Sequence, residues 1–195
     1  MISLLPRKLA AAAFLALFAG ELIAAVGTVQ FSAGDVQLRG PDGRERRAEK
    51  GAVVNEGDTV VSRPGASAQL KMIDGGIIAV RPDTELKIDQ YRYDGREDGS
   101  ENAAMRLVRG GFRTITGLIG RTRKSNYKVY TPTATIGIRG TDHEPHFVPV
   151  PPAGQVVPAG ATPPGTYDKV NVGVAYIQTP VGEVNIGRNQ VGFAA

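Results

Sequence analysis

The residues best equipped for chemistry are few. The densest group is Thr141-Asp142-His143-Glu144-Pro145-His146, which holds both histidines of the chain. Two imidazoles three positions apart, flanked by carboxylates, are of the right kind to ligate zinc. Pro145 forbids the helical turn that would align such a His-x-x-His pair, so the two are expected as solvent-exposed loop histidines. The chain has no cysteine, which removes disulfides, thiolate metal sites and a thiol nucleophile. No serine stands in a Gly-x-Ser-x-Gly setting, no phosphate-cradling glycine loop occurs, and no histidine lies elsewhere to act as a base. Asp58, Asp74 and Glu85 fall in turns or on the expected exposed side of strands, where Asp is a routine turn former. Nothing singles out two acids as a pair for glycoside cleavage. The expectation is a non-catalytic protein with no metal and no cofactor.

A second group suits binding rather than bond-making. Arg106, Arg109, Arg113, Arg121, Arg123, Lys124 and Lys128 lie within 23 residues that contain no acid, and Phe112, Tyr127 and Tyr130 are interleaved or adjacent. Such a stretch is the footprint of single-stranded nucleic-acid binders. It equally suits anionic glycolipid, peptidoglycan or an acidic protein surface, and the plain alternative is a solvated face.

The N-terminus narrows that choice. Arg7 and Lys8 precede an unbroken apolar run of 11 residues, Leu9 to Ala19, followed by Gly20-Glu21 and the small-residue exit Leu22-Ile23-Ala24-Ala25. A basic start, a short apolar run and small residues before the exit describe a secretory signal peptide over residues 1–25. A membrane anchor needs about 20 apolar residues, so contact with a membrane is expected only through an uncleaved signal sequence. A periplasmic or secreted location of Gram-negative type follows as the expectation. An exported chain seldom meets nucleic acid, and none is expected as a partner.

These groups must be positioned by strands. Gly and Pro together make 38 of 195 residues, a load that argues against a helix bundle because each is unfavourable in a helix interior. From Val26 onward the apolar period is two, which marks half-buried strands. Ala68, Leu70 and Met72 share one face, as do Leu86 and Ile88, Val184 and Ile186, and the stripe Val170, Val172, Val174, Tyr176. Gly34-Asp35, Asp42-Gly43, Gly57-Asp58 and Asp74-Gly75 punctuate the runs with the pairs that hairpin turns prefer. Residues 26–195 are therefore expected as one all-β domain, a sandwich, barrel or stacked coil of short strands. Tyr91 to Ala103 is expected as a mobile surface loop. Seven of the 13 prolines fall within Pro145 to Thr166; Pro cannot donate to a ladder, so this segment is expected as a long loop between two strands.

At this point a resemblance emerges. GAVVNEGDTVVSRPGASAQLKMIDGGIIAVRPDTELKI (51–88), LVRGGFRTITG (107–117), YTPTATIGIRGTD (130–142) and the closing GVAYIQTPVGEVNIGRNQVGF (173–193) together resemble the FecR domain of bacteria. The third phrase resembles the family's Thr-Pro-x-Ala-x-Ile-Gly-Ile-Arg-Gly-Thr pattern. The resemblance implies a stacked, coil-like β domain that binds partners and lacks catalytic activity. The family's namesake carries a cytoplasmic anti-sigma segment before its membrane helix. Here only eight residues precede the apolar run, so a freestanding exported module is expected.

Within the third phrase, Thr131-Pro132 fixes an extended entry and Ala134, Ile136 and Ile138 share a face that should be buried. Gly137 and Gly140 permit close backbone approach or positive φ. Arg139 could point to solvent or pair with Asp142. Arg139, Thr141 and Asp142 either stitch a turn through local hydrogen bonds or line a partner-binding surface. The candidate interaction residues are thus Gly137, Arg139, Gly140, Thr141 and Asp142, together with the basic set above. The expected function is an exported binding module acting through protein contacts in envelope signalling or assembly, with a protein partner in the periplasm or outer membrane. Binding of an envelope glycan through residues 106–128 is the alternative.

Overall fold

A computed structural model describes residues 24–96, 98–156 and 158–195; residues 1–23, which carry most of the expected signal peptide, lie outside the described residues. Sixteen strands follow in chain order. They begin with β1 (Ala25–Ala33), β2 (Val36–Arg39), β3 (Glu45–Arg47), β4 (Val53–Asn55) and β5 (Thr59–Ser62). Next come β6 (Ser67–Met72), β7 (Ile77–Val80), β8 (Glu85–Arg92) and the long β9 (Asn102–Ile115). A five-residue helix α1 (Leu118–Thr122) and one 3-10 turn (Lys124–Asn126) lead into β10 (Tyr127–Tyr130), β11 (Thr135–Ile138) and β12 (Asp142–Val148). The chain closes with β13 (Gly165–Val172), β14 (Ala175–Thr179), β15 (Gly182–Ile186) and β16 (Val191–Ala194).

The strands form two layers that share one member. Sheet A has the order β4-β1-β6-β7-β9-β12-β13-β16. Sheet B has the order β3-β2-β5-β8-β9-β10-β11-β14-β15, and only its β9–β10 pair is parallel. The first half of β9 pairs with β8 and β10 in sheet B, and its second half pairs with β7 and β12 in sheet A. The crossover falls at Gly110-Gly111. Gly110 has φ +75°, and a Cβ there would sit 2.5 Å from the Asp83 carbonyl oxygen. A Cβ on Gly111 would sit 2.6 Å from His146 Nδ1. Only glycine lets the strand change layers at this place.

The two-residue period fills the space between the layers. In sheet B one row of facing side chains runs Ile88, Met105, Val129, Ile136, Ile177, Val184 across six strands, and its first five members are buried. In sheet A the facing row runs Val29, Leu70, Ile78, Thr114, His143, Val170. It is fully buried, yet it turns polar halfway across. Each aliphatic side chain removed from water contributes about 1.5–3 kcal/mol. The expected all-β fold is thus a sandwich of short strands.

Three local expectations change. The polar loop is shorter than expected, because β8 runs on to Arg92 and β9 begins at Asn102, with Tyr91 and Ala103 buried in the core. The Pro-rich excursion spans 149–164, because β12 continues through Pro145 to Val148 and β13 starts at Gly165. Pro145 is tolerated because the β12–β9 ladder, in one unbroken register, pairs His143 with Thr114 and His146 with Gly111 but gives residues 144 and 145 no partner on that side. The Val170–Tyr176 stripe is not one face. A register shift against β12 leaves Asn171 without a partner, so Val170 faces the buried His143 while Val172 faces Asp142 on the exposed side, and Gly173, at φ +84°, then turns the chain toward sheet B.

Candidate interaction site

Strand parity decides the fate of the two histidines. On β12 His143 and His146 are three positions apart, so they point to opposite faces; His146 is exposed and His143 is fully buried. The expectation of two exposed loop histidines is corrected for His143, and the pair cannot converge on one metal. His143 Nδ1 lies 2.9 Å from Asp168 Oδ1 on β13, and Nε2 lies 3.3 Å from the Tyr127 hydroxyl on β10. The imidazole and phenol rings meet edge to face at 5.8 Å. Burial pushes the Tyr127 phenol far up, with the Asp168 and Asp74 charges adding to it, so the tyrosine stays a neutral hydroxyl. Thr166, also buried, bonds the hydroxyls of Thr131 at 2.6 Å and Thr133 at 2.8 Å. This polar interior fastens sheet A to sheet B. Its His143, Asp168 and Tyr127 members are buried, while Thr131 and Thr133 are only partly covered.

The carboxylates are consumed in the same way. Asp74 is buried, although its turn position suggested exposure. Its Oδ1 accepts the Tyr91 hydroxyl at 2.8 Å and the Gly76 N–H at 3.0 Å, and its Oδ2 accepts the Ile119 N–H of α1 at 3.2 Å. Asp58, equally buried, accepts the Asn55 N–H at 2.7 Å and is bound by the Arg46 guanidinium, with one contact at 3.1 Å. Glu85 bonds Arg39 at 3.0 Å.

The five residues of the third phrase do not form one surface. Gly137 is buried beneath the Tyr176 ring, and a Cβ there would fall 2.2 Å from Tyr176 Cζ. Gly140 has φ +83°, and its carbonyl oxygen would lie 2.0 Å from a Cβ on Gly173. Arg139 is exposed, and its backbone N–H reaches the Val174 carbonyl at 2.7 Å. Thr141 bonds Thr116 at the end of β9, its N–H donating at 3.2 Å and its carbonyl accepting at 3.0 Å. Asp142 receives two bonds from Arg113, at 2.9 and 2.5 Å, and one from Asn171 at 3.2 Å. The Arg113 hydrogen bonds hold its carboxyl below the usual range. The stitching is therefore long-range, to β9 and β13, and Arg113 rather than Arg139 is the partner of Asp142.

The basic stretch is divided among three places. Arg106 forms an ion pair with Asp89 at 2.9 Å and lies 5.8 Å from the Tyr130 ring centre, while Lys128 bonds the Tyr176 hydroxyl; both are on the outer face of sheet B. Arg109 approaches Glu85 at 3.7 Å. Arg113 belongs to the outer face of sheet A, where Arg81, Asp142, Glu144, Lys169 and Asn171 form a polar network. Arg121, Arg123 and Lys124 stand at the corner built by α1 and the 3-10 turn, with Arg123 3.6 Å from the buried Glu101.

The geometry adds a place that motif reading did not find, the free ends of the two sheets. At one lateral end β3 and β4 are three residues each, and Arg46 of β3 spans to Asp58 and donates to the Val53 carbonyl of β4 at 2.9 Å. At the other end β15 and β16 each have one neighbour. They border a cleft of about 580 Å³ lined by Ile177, Pro180, Val181, Val184, Phe193 and Ala194 among others. Val181 is 97% exposed, Val184 52% and Phe193 47%. The alternation Val184, Ile186 was legible as a strand, but its place at an edge was not.

Residues 58–147 match the FecR protein family. The chain carries a FecR domain. The matched span opens in the turn before β5 and closes within β12. It takes in the phrase at 130–142 and most of the first, while the closing phrase at 173–193 lies beyond it. Strands β13 to β16, with both free edges of the open end, therefore lie outside the matched part of the FecR domain. No protein of curated function matches the chain. Among solved structures, a candidate anti-sigma factor from Parabacteroides distasonis ATCC 8503, solved at 1.65 and 2.50 Å, is similar at 12% identity and a TM-score of 0.48. The similarity covers 68% of this chain and 52% of that one, so the chain spans about half its length. A cell surface anchoring domain is similar at 24% identity and a TM-score of 0.31, over 32% of this chain and 82% of that one.

Proposed function

We propose that this FecR-domain chain is an exported, non-catalytic binding module that acts through protein contacts in envelope signalling or assembly. The observation that carries the reading is the family match over 58–147, in a fold whose buried histidine and buried turn carboxylates are committed to structural bonds. His143, Asp168 and Tyr127 bond one another in the interior, and Asp74 and Asp58 bond backbone N–H groups. The surface offers free sheet edges, and an extended segment of a partner can add to such an edge as a further strand. The apolar run before residue 24 supports export to the periplasm or beyond.

The test is crosslinking in the producing cell followed by mass spectrometry. Capture of one protein at stoichiometric yield is the expected result. Recovery only with wall polymer would replace this reading by glycan binding, which has one observation in its favour: Arg106 beside Tyr130 and Lys128 at Tyr176 put cations and half-buried aromatic rings together on one outer face. Retention on peptidoglycan that fades with added salt is the sign of that alternative, since exposed charges are screened within about 10 Å at 0.1 M.

A further inference from the structure

The longest apolar row of sheet B does not end where the protein interior ends. Ile88, Met105, Val129, Ile136 and Ile177 are each no more than 1% exposed, and the next member, Val184 on β15, is 52% exposed. Natural sheets blunt their free edges with charge, proline, bulges or a covering segment. Strand β15 has none of these inside it beyond the single acid Glu183. Gly182-Glu183-Val184-Asn185-Ile186 contains no proline, and its five pairs with β14 run without a register shift. Four of its five residues are exposed. The adjoining edge of sheet A, β16, is equally free and carries the exposed Val191 and Phe193. No described residue of 149–164 lines the cleft between the two edges.

We infer that β15 is an interaction surface for a second copy of this chain, which adds antiparallel, β15 to β15, about a two-fold axis at Val184. The inference rests on the protein-contact reading and names its partner. The self-pairing register argues for a copy. In an antiparallel pair, facing residues point to the same side, so a two-fold at Val184 sets Val184 against Val184 of the second copy. The inner row then continues without a break into that copy's Ile177 and Ile136. Glu183 faces Asn185, and Gly182 faces Ile186. No like charges stand opposite one another, the arrangement that destabilises strand pairs. The contact is isologous and therefore closes at two copies. The cleft walls of Val181, Val184 and Phe193 in each copy are brought to the same junction.

The chain lacks cysteine, so one introduced thiol reports the contact directly. Sedimentation equilibrium of the purified chain from about 1 to 500 µM should show a monomer–dimer transition, and Val184→Lys should weaken it about tenfold or more. Val53→Lys, at the exposed position of the opposite edge, should leave it unchanged. Val184→Cys should form a disulfide-linked dimer under mild oxidation, and Val53→Cys should not. A chain that stays monomeric throughout, or a dimer indifferent to Val184→Lys, overturns the inference. Crosslinking in the cell from position 184 to a different protein also overturns the second copy as occupant while leaving the protein-contact reading intact. Absence of any protein crosslink, from any position, sinks both.

Discussion

The two lateral ends of the sandwich are built from the same kind of strand and finished differently. At the β3–β4 end the strands are three residues long, and a guanidinium from one sheet is clamped by a buried carboxylate and a backbone carbonyl next to the other. The register of β1 against β4 also shifts there, between Ala25 and Gly27. At the β15–β16 end no comparable ion pair bridges the layers among the described residues, and valine and phenylalanine meet solvent. What binds the layers on that side is set further in, at Tyr127, His143 and Asp168. One end is thus stapled at its rim, and the other is held from inside with its rim left available.

Removing the internal fastening should have the largest effect. His143→Ala leaves the buried Asp168 carboxylate without its imidazole and opens a cavity, at a cost of about 3–5 kcal/mol. Urea denaturation should show a chain near the limit of stability. Cutting the staple at the other end should do less, because Arg46 is partly solvated. Asp58→Ala is expected to cost about 2–3 kcal/mol, read in the same experiment, and equal losses for the two variants would erase the distinction drawn between the ends. Gly137→Ala places a methyl against the Tyr176 ring. That ring can swing outward, so a loss of about 1 kcal/mol is expected, with Tyr176→Ala restoring part of it.

Acid should act on the outer face of sheet A on the open side. Arg113 holds the Asp142 carboxyl below its usual range. Glu144 is also held low: partial burial works against this, but Asn171 and the charges of Arg81, Lys169 and Arg113 prevail. Carboxyls depressed in the fold contribute stability that is complete above their unfolded pKa, near 4, and lost as pH falls through the folded value. The melting temperature should therefore decline below about pH 4, and Arg113→Gln should make that decline shallower. A pH response identical in the two chains would remove Arg113 from the account. The smallest effect on stability is expected at the open rim itself. Val184→Lys should change the unfolding free energy of the monomer by only about 0.5 kcal/mol, while it alters association.

The strands were legible in the sequence wherever one face was apolar and the other polar, as at 68–72 and 85–88. The glycines of 130–142 were legible as sites of close approach or positive φ, and Gly137 beneath Tyr176 proves to be the first and Gly140, at φ +83°, the second. Long-range pairing was not legible. Nothing local indicates that Asp142 is met by Arg113 or that Thr141 is met by Thr116. His143 misled because its neighbours are charged and a proline follows, although its parity with Phe147 already placed it on the apolar side of an extended strand. Asp168 carried a usable sign: it falls between Thr166 and Val170 on one face, and an acid in that position needs a buried partner. Which strand becomes an edge depends on the order of the whole sheet, and no single segment encodes it.

The sharing of β9 between layers bears on how the molecule comes apart. In an ordinary sandwich one sheet can fray while the other persists. Here any opening that frees β9 removes the central strand of both sheets at once, and its parallel partner β10 joins only through α1 and the 3-10 turn. Amide protons along β9, on either side of Gly110-Gly111, should exchange only through global unfolding, and those of β15 and β16 through local excursions far more often. Under mechanical load the glycine pair that lets the strand change layers becomes the point through which force on one sheet is delivered to the other.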